Sequence, residues 1–148
     1  MYTIGILLKD VDVSQKNWQL ISQLNQLNLK SNNNYCVFYM NPSPLCVNNF
    51  CSIDTIHNIH KVGKGILIAT DLDTALILQK SQTKARKIYY VWDLEFVHNK
   101  NSNYLFNLNI LKSLDLWTRS GSYSDVIKNY CNIKPNVSTK IEDIINAY

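Results

Sequence analysis

Long apolar runs without polar alternation constrain this chain most: YTIGILL at 2–8, YCVFYM at 35–40, GILIAT at 65–70 and IYYVW at 88–92. A strand with one wetted face alternates apolar and polar residues, whereas a strand covered on both faces reads as a continuous apolar run. The segments between the runs carry a different rhythm. In NWQLISQLNQLNL, Trp18, Ile21, Leu24, Leu27 and Leu29 recur at helical spacing, which predicts a helix. Ser14 is its candidate N-cap, and the Asn32-Asn33-Asn34 run its stop.

The same alternation continues to the end. DLDTALILQKSQ predicts a short helix with Asp71 or Asp73 at its amino end, where a carboxylate favours the helix dipole. Residues 102–114 carry Tyr104, Leu105, Leu108, Ile110 and Leu111 and predict another. DLWTRS at 115–120 reads as a strand, and SYSDVIKNYC as a helix capped by Ser122 or Ser124. KPNVS is a short extended piece before a last helix, IEDIINAY. Only 45–62 resists assignment, with a short strand or a turn of helix expected around SIDTIHNI. Strands separated by helical patterns form βαβ units and a parallel sheet. The expected fold is α/β: a Rossmann-like, doubly wound, mainly parallel sheet with helices on both faces, in one domain spanning 1–148.

Several functional classes fall away at this stage. The turn after the first run, KDVDVSQ, has no glycine. Backbone must approach a pyrophosphate closely there, which side chains obstruct, so NAD, FAD and ATP are not expected. Cys46, Cys51, His57 and His60 are too crowded for a zinc finger, and no metal is expected. No G-x-S-x-G elbow occurs. A net charge of +4 from scattered lysines does not favour nucleic acid as a partner. No run approaches the ~18 apolar residues that span a bilayer. Met1 leads into the first strand without a basic leader, so an intracellular, cytoplasmic protein with reduced thiols is expected. Heavy use of Asn, Lys, Ile and Tyr points to an AT-rich genome, viral or bacterial.

In open α/β sheets, ligands bind outside the carboxyl ends of the strands. Three groups fall there: Thr70-Asp71, Asp93 with Glu95, and Arg119-Ser120. Each also has an ordinary alternative. The acids follow a buried strand and could be solvated, and Arg119 could lie on the surface or pair with Asp115.

The stretch IYYVWDLEF, then a helix, then DLWTRSGSYSDVIKNYCNIKPNV resembles the amino-terminal half of GT-B glycosyltransferases, in particular the family-4-like enzymes of bacteria and phages. The shared pattern is an aromatic strand ending in an acidic pair, a helix, a strand ending in an Arg-Ser-like pair, and a Pro-Asn-Val turn. GILIATDLDTALIL fits the preceding strand and helix, so the resemblance covers 65–137. It implies the acceptor-side half of a sugar-transferring enzyme, with Asp93 and Glu95 as catalytic residues and Thr70, Asp71, Arg119 and Ser120 as ligand-binding ones. The family's glycine-rich turn is missing, as is the E-x7-E motif of its donor domain. The resemblance therefore implies a second glycosyltransferase half as partner, to bind the nucleotide-sugar, while this half takes the sugar acceptor. The alternative is a Rossmann-like binding or interaction module without catalysis.

Overall fold

A computed structural model describes residues 2–98 and 103–148. The strands are β1 (Thr3–Leu8), β2 (Asn34–Tyr39), β3 (Ser52–Thr55), β4 (Gly65–Ala69), β5 (Arg86–Val91), β6 (Asp115–Thr118) and β7 (Asn136–Val137). The helices are α1 (Gln15–Lys30), α2 (Leu72–Lys80), α3 (Glu95–His98), α4 (Tyr104–Ser113), α5 (Gly121–Cys131) and α6 (Ile141–Asn146), with a 3-10 helix over Ile56–Lys61. All strands pair in parallel, in the order β3-β2-β1-β4-β5-β6-β7. The chain winds outward from β1 to β3, returns beside β1 as β4, and winds the other way. This is the doubly wound α/β sheet that the apolar runs predict.

Side chains leave the sheet alternately. Ile4, Ile6 and Leu8 of β1 join Ile66, Ile68, Ile88 and Tyr90 on the face covered by α1 and α6. Leu7, Leu67, Ala69, Tyr89 and Val91 join the opposite face, under the 3-10 helix, α2, α4 and α5. Burial on both sides explains why no polar residue interrupts these runs. Gly65 is required where β4 begins. Its φ is +143°, and a Cβ there would lie 1.8 Å from the Thr3 carbonyl oxygen.

The expected elements hold with local corrections. Ser14 caps α1 by accepting from the Asn17 N–H, and the helix ends at Lys30 before the asparagine run. Trp18 and Leu29, placed on the buried stripe by spacing, are exposed, and Asn17 and Asn25 are buried instead. Asn25 earns its position by pinning the loop that follows β2: its amide donates to the Asn48 carbonyl at 2.7 Å and accepts from the Phe50 N–H at 2.8 Å. The cap of α5 is Ser120, not Ser122 or Ser124, since Gly121 already lies in the helix. The helix expected from 102 begins at Tyr104 among the described residues, and Ser102 lies outside them. The segment 45–62 yields both of its expected alternatives, a short edge strand and then the 3-10 helix.

Candidate functional site

Because every strand runs the same way, the residues just beyond β1, β4, β5 and β6 gather along one edge. The register aligns Leu7 with Ala69, Ala69 with Tyr89 and Val91 with Thr118. Two threonines brace that edge from below. The Thr70 hydroxyl donates to the Leu7 carbonyl at 2.9 Å, and the Thr118 hydroxyl to the Val91 carbonyl at 3.1 Å. Above them lies an open crevice of about 520 Å³, at the switch point where strand order reverses between β1 and β4.

The predicted residues divide into two groups here. Thr70 is 1% exposed with its hydroxyl committed to β1. Asp71 is the N-cap of α2: Oδ1 accepts from the Thr74 N–H at 2.9 Å, and Thr74 Oγ1 returns the bond to the Asp71 N–H at 3.3 Å. Ser120 likewise caps α5, accepting from the Tyr123 N–H. Asp71 and Ser120 hold helix ends in place and Thr70 ties the end of β4 to β1, although Asp71 also forms part of the crevice wall.

Asp93, Glu95 and Arg119 come together at the crevice. Arg119 Nε donates to the Trp92 carbonyl at 2.8 Å, and Nη2 reaches both Asp93 Oδ1 and the Tyr123 hydroxyl at 3.4 Å. Its guanidinium carbon stands 4.7 Å from the Trp92 ring centroid and 5.3 Å from that of Tyr123. Such a clamp fixes the arginine while leaving Asp93 exposed. The other partner considered for Arg119, Asp115, pairs with Arg86 at 2.8 Å.

Glu95 opens α3 and is half-buried, with Oε2 accepting from the Leu72 N–H at 3.4 Å. Burial, reinforced by the neighbouring Asp71 carboxylate, holds its carboxyl above the ordinary glutamate range. Beneath it, Tyr89 is wholly buried, and burial pushes its phenol far above the usual value. The Tyr89 hydroxyl and Asn17 Oδ1 are buried without a hydrogen-bond partner among the described residues.

Sequence reasoning missed Lys9, Lys16 and Trp92. Lys9 bonds Asp73 at 2.7 Å, and Lys16 reaches Asp71 Oδ2 at 3.4 Å. Lys9 follows β1 directly, so the strand-end rule contains it, whereas Lys16 lies within the first turn of α1. The crevice therefore sets Lys9, Lys16 and Arg119 against Asp10, Asp71, Asp93 and Glu95, a formal net charge of −1. Inorganic phosphate gains little from such a wall, whereas a polyhydroxylated neutral molecule finds both donors and acceptors.

No family model matches the chain, and no curated protein or solved structure matches it significantly. The zinc candidates stay apart in role. Cys46 and Cys51 pack at the margin of the α1 face, while His57 and His60 lie on the 3-10 helix, where His60 Nδ1 is 2.7 Å from the His57 carbonyl oxygen. Among the described residues no helix is long and apolar enough to cross a membrane.

Proposed function

We propose that the crevice is the acceptor site of a glycosyl-transferring protein, and that a separate half supplies the nucleotide-sugar. One observation carries this reading: Asp93, Glu95 and Arg119, contributed by the ends of different strands, line one crevice with Lys9 and Lys16. Carboxylates in that setting accept from sugar hydroxyls, and the cations donate to ring and hydroxyl oxygens. Glu95 is the group suited to take a proton from an attacking hydroxyl, since burial and the Asp71 charge bring its carboxyl closer to the working range of a general base. Asp93, more exposed and fixed by Arg119, orients the acceptor. The excess of carboxylates argues for a donor diphosphate bound elsewhere, on the partner half.

The test is a titration of isotopically labelled protein with neutral saccharides, glucose and maltose first, followed by amide chemical shifts. Saturable shifts at Lys9, Asp93, Glu95 and Arg119, weakened by Asp93→Asn with unchanged thermal stability, are expected. Saccharides that move none of these amides refute the sugar reading. The commitment of Thr70 to the β1 backbone and of Asp71 and Ser120 to helix caps favours a second reading, a binding module without catalysis. In that case saccharide binding survives Glu95→Gln and no partner half confers transfer.

A further inference from the structure

We propose that a second cavity, which shares Trp92 and Arg119 with the crevice but has no carboxylate among its lining residues, binds a planar aromatic carboxylate. This goes beyond the sugar reading and does not rest on it. The cavity holds about 300 Å³, within the range of small-ligand pockets, and lies between α1, α5 and the link that precedes α6. Tyr90, Trp92 and Tyr123 give it aromatic walls, and Gln19, Ser120 and Thr139 add neutral polar groups. Arg119 is the one charged side chain that lines it among the described residues. The two compartments share Trp92 and Arg119 and differ in sign: the crevice carries an excess of carboxylates, the cavity a lone guanidinium.

That lining specifies a ligand. Flat aromatic walls favour a flat apolar ring by stacking or edge contact. The guanidinium favours a carboxylate, which it can hold through paired N–H groups. Its donors are placed to do so. Nε is occupied by the Trp92 carbonyl, Nη2 makes only two 3.4 Å contacts, and Nη1 has no hydrogen bond among the described residues. A cavity of about 300 Å³ is at the small end of ligand pockets, which favours an anionic group joined directly to the ring. A nucleotide, with a ribose between base and phosphate, is bulkier.

The experiment uses 2-naphthoate as the probe, with naphthalene-2-methanol as its neutral counterpart and uridine monophosphate as the spaced anion. Amide shifts of Ser120 and Tyr123 and the side-chain amide of Gln19 report on the cavity. Naphthoate is expected to saturate these signals and to bind about tenfold more tightly than the alcohol, the scale of one charge-assisted hydrogen bond. Arg119→Gln should erase that difference. Thr139→Phe, which adds bulk at an exposed lining residue whose own side chain makes no hydrogen bond among the described residues, should abolish binding even if the arginine variant folds poorly. Equal affinity for acid and alcohol, undiminished binding to Thr139→Phe, tighter binding of uridine monophosphate, or no saturation by naphthoate at about 10 mM would each overturn the proposal. Saccharide binding is read from Lys9 and Glu95 in the same spectra, so the two readings fail separately.

Discussion

Replacing Asp71 by alanine separates a structural carboxylate from a ligand-binding one. In the folded protein Oδ1 caps the Thr74 N–H at 2.9 Å, and Oδ2 faces Lys16 at 3.4 Å. Thr74 is fully buried, so water cannot replace the lost acceptor. The cap then contributes near the upper end of its usual range, about 2 kcal/mol. The ion pair adds less, about 0.5 kcal/mol, because Lys16 keeps access to solvent. Relief of the repulsion between Asp71 and Glu95 acts in the opposite direction. The net loss is about 2 kcal/mol, or roughly 4–8 °C in Tm for a chain of this size. Asp71→Asn retains the cap, since asparagine caps as well as aspartate, and should lose less than about 1 kcal/mol. Paired urea titrations of the two variants measure both. If alanine costs no more than asparagine, the cap does not hold α2, and Asp71 returns to the candidates for ligand contact.

Two further outcomes follow from particular contacts. The Glu95 carboxyl is raised in the folded state, first by burial and then by Asp71, so the folded protein keeps that proton to higher pH than the unfolded chain. Its contribution is therefore most favourable below the unfolded value near ~4.3 and is lost as pH rises through the folded value. Glu95→Gln should accordingly match the native protein near pH 4 and exceed it in stability at pH 7, by urea titration at both pH values. Gly65→Ala should cost more than about 3 kcal/mol, because its Cβ would collide with the Thr3 carbonyl at a φ that L residues rarely adopt. Gly63→Ala, with nothing within 4 Å of the added carbon, should stay within about 0.5 kcal/mol, and thermal melts compare the pair.

The sheet was legible because burial on both faces removes polar residues from the strand interiors, and that leaves a mark along residues 4–8 of β1, 35–38 of β2, all of β4 and 88–91 of β5, while Thr3, Asn34, Arg86 and Lys87 at the strand starts escape it. β3 leaves no such mark. As an edge strand its residues are exposed or half-buried, so SIDT carries no apolar run. Helix α1 shows the other limit of periodicity. Spacing alone put Trp18 and Leu29 on the buried face, yet tertiary contacts bury Asn17 and Asn25. Asn17 donates to the Asp10 and Asp12 carbonyls and so shapes the turn after β1, while Asn25 holds residues 48–50. Neither partner lies at a helical interval, so no pattern within the helix could announce them.

The candidate site was legible in place but not in role. Parallel strands bring their carboxyl ends together, and that topological fact sufficed to gather Asp71, Asp93, Glu95 and Arg119 around one crevice. It could not say which side chains would be consumed by local structure. Asp71 and Ser120 sit immediately before a helix start, where a short oxygen-bearing side chain is drawn to an unpaired backbone N–H, and Thr70, one residue before the cap of α2, bonds the Leu7 carbonyl instead. Asp93 and Arg119 stand two residues before α3 and α5 and both line the crevice. Glu95 is too long to cap its own helix and instead reaches the first turn of α2. Position next to a helix start thus accounts for the caps Asp71 and Ser120 but does not separate Thr70 from Arg119, and Arg119, clamped between two rings, is where the crevice and the aromatic cavity meet.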